Sequence, residues 1–511
     1  MQLTRVDKTR ITYLLKGTAV GIIAGIVVSM FRLAIEELGV FVAHLYSYFH
    51  EQPLFLLPWI LISLLCALLV GALVKSDPNI KGSGIPQVEG QLQDALTVNW
   101  LSVLWKKFIG GVLGVGMGLF LGREGPSIQL GASVGQGFAE WTGADRSEAK
   151  ILLSSGASAG LAAAFNAPVA ALLFVVEEVH HNFSPLVWLT SFTSAIVANF
   201  VSMTIFGLQP VLHMGRISSL PLKDYWLLLL LGVALGVLGR FYQLVLLRLN
   251  QWYSKLPLPD YLHGLVPFLL VIPIGYFWPD CLGGGNQIVL RFGEHLPSLT
   301  VLLLLFLLRF IFSMVSYGAS LPGGIFLPIL TLGGIIGGFF GQFAVQYLGM
   351  DPIFAKNFVI IAMAGYFAAI GKAPLTAIIL VTEMVGSLNH LMPLGLVALI
   401  AYVVVDLMGG SPIYESLLER LVETKPADIK GEKVVLEYAV HAESALDGTL
   451  VRDFRWPEDM LLISIRRGER ELLVHGDTII QVGDLLRILT DTIHSRNIYQ
   501  EIEQRDKAAF K

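Results

Sequence analysis

Two neighbouring ionisable residues, Arg123 and Glu124, stand inside an apolar stretch of the sequence. The stretch reads GGVLGVGMGLFLGREGPSIQLGASVG, and its motif GREGP occupies residues 122–126. Glycine allows close backbone approach, and proline is tolerated in the first turn of a helix, where its missing N–H is not needed. The motif therefore predicts a helix that begins near Glu124, with unpaired amides and a positive dipole end facing whatever lies ahead.

Two further motifs of this kind interrupt apolar sequence, GSGIP at 82–86 and GGIFLP at 323–328. Irregular backbone is tolerated within a bilayer only where protein buries it or where it lines a cavity. Three helix N-termini that face one cavity would bind an anion without a full positive charge, which lets the anion leave again. For any single motif, a helix break that serves packing alone is the alternative.

The carboxylate of Glu124 is itself an anion of the kind that a helix N-terminus stabilises. It can occupy the place of a transported anion when ionised and leave it when protonated. A salt bridge to Arg123 is the alternative, but adjacent residues of a helix do not face each other. We therefore expect Arg123 not to be the main partner of Glu124.

Further polar residues lie at the ends of apolar runs. Glu177 and Glu178 precede VHHNFSP, and one of them can take up protons, although two solvated acids at a helix end explain them equally well. Ser83 and Tyr414 can donate hydroxyl groups, with a helix N-cap and an interfacial aromatic as the respective alternatives.

Other ionisable residues carry no clear chemistry. His180 and His181 lack a third ligand at suitable spacing, so we expect loop or interfacial positions and no metal site. Glu383 and Asp406 look intramembrane and remain without a role.

The composition is that of a polytopic membrane protein. Of 511 residues, 54% are hydrophobic and 14% charged, and the mean hydropathy is +0.68. About eleven apolar blocks of about 20 residues each are long enough to cross a bilayer. A net charge of −4 offers no basic face for nucleic acid. Nothing pairs a nucleophile with a base or clusters metal ligands, so we expect neither an enzyme nor a cofactor.

Charge concentrates at the carboxyl end, because 29 of the 74 charged residues lie between Lys425 and Lys511. We predict a transmembrane domain at residues 1–420, a linker at 421–434 and a small α/β domain at 435–511, with strand-like runs VVLEYAV, LLISIRR and TIIQV. Basic residues before the first apolar block favour a cytoplasmic N-terminus. The carboxyl domain is cytoplasmic too if both ends lie on one side.

The membrane part contains a weak internal repeat. The segment AGLAAAFNAPVAALLFVVEE at 159–178 is similar to AGYFAAIGKAPLTAIILVTE at 364–383, with matching prolines 206 residues apart. Pro126 and Pro328 are 202 residues apart. The repeat predicts a duplicated half, and transporters of this kind commonly invert one half against the other. Chance similarity between helices rich in glycine and alanine is the alternative.

Taken in order, GSGIP, GREGP, GIFLP and SPIYESLL resemble motifs of the CLC family of chloride channels and proton-coupled chloride antiporters, over about residues 10–420. The resemblance implies an α-helical membrane fold with an inverted repeat of tilted and broken helices, and a homodimer with one pathway per subunit. It implies that the hydroxyls of Ser83 and Tyr414 and the amides of Ile325 and Phe326 bind a central chloride.

The same resemblance makes Glu124 the gating glutamate, with the backbone around Arg123, Gly125 and Leu327 framing an outer chloride site. The segment FVVEEVHHNF places internal proton transfer on Glu178. Channel members usually lack that second acid, so Glu178 favours exchange over passive conduction.

The tail, above all HGDTIIQVGDLL, resembles the C-terminal subdomain of RCK regulators of potassium transport. Such subdomains commonly dimerise and can bind a small regulatory ligand. A purely structural dimerisation module remains equally open.

We therefore predict a homodimeric antiporter that exchanges chloride for protons across the cell membrane, with both termini cytoplasmic and a regulatory tail. Its partners would be chloride, protons and the lipid bilayer, without nucleic acid. A passive voltage- or ligand-gated chloride channel is the first alternative. A cation transporter is suggested only by the tail, and the glycine-framed helix starts favour an anion instead.

Overall fold

The computed structural model describes residues 8–423, except 182 and 216, and residues 433–508, except 442, 443, 458, 469 and 492–494. The first range is helical and the second is a small sheet with one helix. The helices of the first range are α1 (Lys8–Glu51), α2 (Leu56–Ser76), α3 (Ile85–Leu92), α4 (Trp100–Gly116), α5 (Glu124–Thr142), α6 (Arg146–Phe165), α7 (Pro168–Phe174), α8 (Pro185–Phe206), α9 (Trp226–Tyr253), α10 (Leu265–Phe277), α11 (Asn286–Glu294), α12 (Leu299–Gly318), α13 (Phe326–Leu348), α14 (Ala355–Gly371), α15 (Pro374–Val385), α16 (Leu391–Leu407) and α17 (Ile413–Glu423).

The order of the elements repeats, so that α1–α8 correspond to α9–α16 and α17 follows the second half. Helices α5 and α13 begin 202 residues apart, and α7 and α15 begin 206 residues apart, as the sequence repeat predicts. The short helices α3 and α11 both follow a glycine in the left-handed region, Gly84 with φ +88° and Gly285 with φ +101°. The internal duplication is therefore a property of the fold.

In the part of the chain that the structure describes, nine helices are long and apolar enough to cross a membrane. The number is smaller than the eleven apolar blocks because several blocks are broken. Residues 100–142, for example, are divided between α4 and α5 by the loop that contains GREGP. Helices α13 and α14 are largely enclosed by other helices, whereas α2 exposes most of its apolar surface.

Small residues allow the helices around the loops to cross closely. A Cβ atom at Gly131 of α5 would clash with the carbonyl oxygen of Gly156 in α6, and the converse is also true. In the second half, a Cβ at Gly337 of α13 would clash with the carbonyl oxygen of Phe358 in α14. Backbone contact of this kind is typical of membrane helices, where packing rather than water exclusion drives association. It fixes the positions of α5 and α13, which carry two of the three glycine motifs.

The carboxyl domain is a four-stranded antiparallel sheet in the order β1-β4-β2-β3, with α18 (Ser495–Ala508) packed against β1. Its strands are β1 (Lys433–Ala439), β2 (Met460–Arg467), β3 (Arg470–Leu473) and β4 (Asp484–Asp491). The buried carboxylate of Asp506 in α18 accepts bonds of 2.7 Å from the hydroxyls of Tyr438 and Ser444. Burial, with the Asp506 bond, raises the pKa of Tyr438 above its ordinary value. The predicted linker is described up to Glu423 and from Lys433, and residues 424–432 lie outside the described residues.

One predicted strand is wrong. Residues 478–482, TIIQV, contain only an isolated bridge from Ile479 to Leu450. The N–H of Gln481 is bonded to the carboxylate of Asp484, and Gly483 turns the chain with φ +84°. The strand begins after this turn, at Asp484.

Candidate functional site

The three glycine motifs meet in the middle of the helical part. Gly122 and Gly324 exchange two backbone hydrogen bonds of 2.7 Å in an antiparallel bridge. The N–H of Gly323 donates to the carbonyl of Gly82 at 3.0 Å. The bridge runs antiparallel between equivalent loops of the two halves, so the halves approach this point from opposite directions.

Each motif begins a helix, as predicted. Helix α3 begins at Ile85, α5 at Glu124 and α13 at Phe326. The first amides of a helix have no acceptor within it, and the dipole adds partial positive charge there. Because the loops are hydrogen-bonded to one another, these amides are concentrated in one buried place that favours an anion.

Two buried cations bind backbone carbonyls of the loops that precede α3 and α11. The Nζ of Lys107 in α4 donates to the carbonyls of Ile80 and Gly82 at 2.9 and 2.7 Å. The guanidinium of Arg309 in α12 donates to the carbonyls of Gly283 and Gly284 at 2.8 and 2.6 Å. The two cations are 202 residues apart, the interval of the repeat. The sequence analysis did not identify either residue, although an ionisable residue in an apolar helix indicates a functional or structural role.

Ser83 and Tyr414 are both 1% exposed. The Oγ of Ser83 accepts the N–H of Ile85 at 3.3 Å, but the N-cap residue of α3 is Gly84, so Ser83 is not the helix N-cap. Its side chain also forms a hydrogen bond with Tyr317, and a hydroxyl group can alternatively donate its hydrogen to an anion. Tyr414 lies in the first turn of α17, which packs against α3. Its hydroxyl has no hydrogen-bond partner among the described residues, and its burial argues against an interfacial aromatic.

The remaining residues predicted to frame chloride lie in the same place. Ile325 immediately precedes α13 and Phe326 and Leu327 open it, all three at most 5% exposed. Gly125 lies in the first turn of α5, where a Cβ atom would come within 2.8 Å of the Cβ of Ser83. Glycine at this position therefore allows α5 to start against the GSGIP loop. The structure brings the predicted set together, and the role of each residue stays a prediction.

Glu124 is completely buried, and its carboxylate turns back over the preceding glycine. A Cβ atom at Gly122 would clash with Oε2 of Glu124 and would lie 3.2 Å from the amide nitrogen of Leu327. Among the described residues, no side chain forms a hydrogen bond with either carboxylate oxygen. The carboxylate thus lies at the amide end of α13, where an anion would be stabilised.

Arg123 pairs first with another acid. Its Nη1 lies 2.6 Å from Oε1 of Glu36 in α1, whereas its Nε lies 4.0 Å from Oε1 of Glu124. Glu36 also accepts a bond of 3.1 Å from Arg32. The prediction that Arg123 is not the main partner of Glu124 is confirmed.

Glu177 and Glu383 cap equivalent helices of the two halves. The Oε2 of Glu177 accepts the N–H and the hydroxyl of Thr376, at 2.8 and 2.7 Å, at the start of α15. Glu383 reciprocates with bonds of 2.8 and 3.2 Å from the amides of Ala170 and Val169 at the start of α7. Of the two neighbouring acids, Glu177 is therefore occupied as a cap, and Glu383 has a structural role.

Glu178 lies in a π-helical segment, Val175–Val179, and is 4% exposed. Its charged neighbours include Glu89 and Glu415. Glu89 of α3 is completely buried, and its Oε1 accepts a bond of 3.2 Å from Gln93. The sequence analysis missed Glu89, although an acid three residues after GSGIP is visible in GSGIPQVEG. A buried group of carboxylates suits proton storage rather than anion binding.

A cavity of about 540 Å³ leads from the surface to Ser83. Lys81 and Arg420 supply basic groups to its wall, and Tyr317 lines it beside Ser83. Basic groups at a narrow vestibule raise the local concentration of anions. We call this cavity the anion vestibule. Sequence analysis did not single out these three residues, because their proximity depends on how the chain folds.

Comparisons with known proteins agree with this geometry. The family described as voltage gated chloride channel matches residues 65–406, and the TrkA-C domain matches residues 435–498. The H(+)/Cl(-) exchange transporter ClcA of Citrobacter koseri is 32% identical over 439 residues, which is 83% of this chain and 91% of that protein. ClcA of Salmonella arizonae is 32% identical over 440 residues, 84% of this chain and 92% of that protein.

Solved structures have the same fold. A slow cyanobacterial Cl-/H+ antiporter superposes with a TM-score of 0.77 at 32% identity, over 81% of this chain and 98% of that one. A eukaryotic CLC transporter superposes with a TM-score of 0.67 at 21% identity, over 82% of this chain and 77% of that one, and supports the fold alone. The chain therefore belongs to the CLC family of voltage gated chloride channels and exchange transporters, and a TrkA-C domain follows its membrane part.

Proposed function

We propose that this protein exchanges chloride for protons across the cell membrane. The observation that carries the proposal is the position of Glu124, a buried carboxylate at the amide end of α13 beside the Gly122–Gly324 bridge. An ionised carboxylate and a chloride ion compete for such a place because both are stabilised by the same amides. Protonation removes the charge of Glu124 and lets chloride take the place.

The central chloride would be bound by the hydroxyls of Ser83 and Tyr414 and by the amides of Ile325 and Phe326. The backbone of Arg123, Gly125 and Leu327 would frame the outer position. Uncharged donors suit transport because they hold an anion without trapping it. Lys107 and Arg309 do not contradict this, since the Nζ of Lys107 and both Nη groups of Arg309 donate to loop carbonyls.

Glu178 would take protons from the cytoplasm and pass them to Glu124. A passive chloride channel has no use for a buried acid on the inner side, and burying one is costly. Its neighbour Glu177 is occupied as a helix cap, which leaves Glu178 for proton transfer. Exchange therefore explains the presence of both buried acids better than passive conduction does.

Contacts of α1 and of the TrkA-C domain with the start of α6 support a common side for both termini. Lys16 near the start of α1 pairs with Glu148, and Arg466 of β2 donates to Ser147 at 3.1 Å, so both reach the start of α6. The basic residues near the N-terminus favour the cytoplasm for this side. We further propose a homodimer whose TrkA-C domain regulates exchange, with a small ligand as one means of doing so.

The proposal is tested with purified protein in liposomes, by recording chloride efflux and proton uptake together. Glu124→Gln keeps chloride flux and loses coupled proton flux, because glutamine carries no proton. Glu178→Gln also loses proton flux and keeps chloride flux. Glu294→Gln, an exposed acid at the end of α11, is the matched control and retains both. Coupled proton flux in Glu124→Gln at the rate of the unmodified protein would refute the mechanism.

A further inference from the structure

The TrkA-C domain docks beside the buried acids and away from the anion vestibule. A cavity of about 470 Å³ lies between the domain and the helical part, with Lys150, His180 and His181 on one wall and His441 and Arg466 on the other. We call it the interdomain cavity. Of the residues that the structure describes, none from the TrkA-C domain lines the anion vestibule.

His181 connects the interdomain cavity with the buried acids. Its side chain is 37% exposed, and its Nε2 lies 4.0 Å from Oε1 of Glu89. The side chain of Glu89 is 1% exposed, and its Oε2 has no hydrogen-bond partner among the described residues. Helix α3, which carries Glu89, packs against the π-helical segment of Glu178. One partly exposed imidazole thus stands between water and two enclosed carboxylates.

We propose that cytoplasmic protons leave the interdomain cavity through His181, which passes them to Glu89 and then to Glu178. The proposal rests on the exchange function proposed above and names its proton intake. The imidazole accepts a proton from water and releases one to a carboxylate, so no other reactant is needed. A rotation of the ring or one bridging water spans the 4.0 Å between Nε2 and Glu89.

Charged and titratable groups of several elements lie near His181. They comprise acids and bases from both walls, namely Glu89, Asp94, Lys150, His180, Glu437, His441, Arg466 and Glu503. Lys150 is bonded to Asp94 at 2.7 Å, which reduces its repulsion of a protonated imidazole. His441 belongs to the TrkA-C domain, so the docked domain contributes to the environment of the relay.

His180 provides a matched control because it is adjacent and has the same side chain. Its Nδ1 is 2.8 Å from the hydroxyl of Ser154 in α6, so that ring is held toward the helix. We expect His181→Gln to reduce the ratio of proton to chloride flux about tenfold, since positioned acid–base groups contribute at least that much. His180→Gln keeps the ratio, and His181→Glu restores much of it, because glutamate can titrate and glutamine cannot.

The outcomes separate this proposal from the exchange function. If the unmodified protein moves protons with a chloride gradient but His181→Gln has an unchanged flux ratio, the relay is refuted and exchange stands. If chloride and proton flux fall together in His181→Gln, the residue serves the fold, and the relay is likewise refuted. If the unmodified protein moves no protons, the exchange function itself fails.

A second test addresses the cavity. Val482 lines its TrkA-C wall and is 47% exposed. Val482→Cys labelled with a bulky thiol reagent before reconstitution should lower the flux ratio and spare chloride flux, with the identically treated unmodified protein as control. Leu473→Cys, on the exposed face of β3, should have no effect when labelled. An unchanged ratio in labelled Val482→Cys would show that protons do not pass here.

Discussion

The acids of this protein differ in role because their surroundings differ. Glu177 and Glu383 accept two or more bonds each at the starts of α15 and α7, whereas Glu124 and Glu178 are buried and cap neither of these helices. A carboxylate that caps a helix is held in place by several hydrogen bonds, and one that caps no helix is less constrained in position. We therefore assign the proposed transport chemistry to Glu124 and Glu178.

The position of the Glu124 carboxylate depends on one glycine. We predict that Gly122→Ala displaces it, because the added Cβ would clash with Oε2 and would lie 3.1 Å from Cδ of Pro328. Chloride should then pass without protons, and the proton-to-chloride flux ratio should fall severalfold. Gly114→Ala, whose Cβ would meet only a carbonyl at 3.4 Å, is the control. An unchanged ratio in Gly122→Ala would contradict this account of the gate.

At the scale of elements, symmetric devices hold the broken helices, some within one half and some between the two halves. The antiparallel bridge joins the loops before α5 and α13, two buried cations hold the loops before α3 and α11, and two acids cap α7 and α15 across the halves. Each device satisfies backbone groups that a broken helix leaves unpaired within the membrane. The broken helices are therefore stabilised partly by contacts within each half and partly by contacts between the halves.

Loss of a helix cap should lower the stability of the protein and leave the coupling of proton flux to chloride flux unchanged. We predict that Glu177→Ala and Glu383→Ala each lower the free energy of unfolding by about 1–2 kcal/mol, the usual effect of losing an N-cap. Thermal denaturation in detergent measures this as a lower Tm. Glu178→Gln should leave the Tm almost unchanged. Equal thermal stability of Glu177→Ala and the unmodified protein would contradict the capping role.

Much of the arrangement of helices could be predicted from the sequence, because the residues that determine it are close together in the chain. The helix starts at Ile85, Glu124 and Phe326 follow from glycine and proline placement, and the repeat follows from similar segments. The carbonyls that bind Arg309 lie at least 25 residues away along the chain, and Glu177 caps a helix 199 residues away. Such partners are set by the tertiary fold, so neighbouring residues do not reveal them.

At the scale of the whole molecule, the proposed paths of chloride and protons begin at different cavities. The anion vestibule reaches Ser83 through the helical part, whereas the interdomain cavity reaches His181 beneath the TrkA-C domain. Movement of that domain would change proton supply before it changed chloride access. Regulation by the tail is thereby expected to act on coupling.

The docking of the tail can be tested directly. Arg466 of β2 bonds to Ser147 at 3.1 Å across the two parts, and a bond to a charged group contributes about 1.5–3 kcal/mol. We predict that Arg466→Ala increases amide hydrogen exchange at the start of α6 and in β2. Arg470→Ala, on the exposed side of β3, should leave amide hydrogen exchange unchanged. Unchanged amide hydrogen exchange in Arg466→Ala would mean that this bond does not hold the domain.

The central claim is that chloride and proton movements are obligatorily linked. In liposomes that contain the unmodified protein, an outward chloride gradient without a pH difference should drive protons inward, against the proton gradient that develops. The account predicts this uphill uptake and its loss in Glu124→Gln while chloride efflux continues. Chloride efflux without proton movement in the unmodified protein would contradict exchange and identify a passive chloride channel.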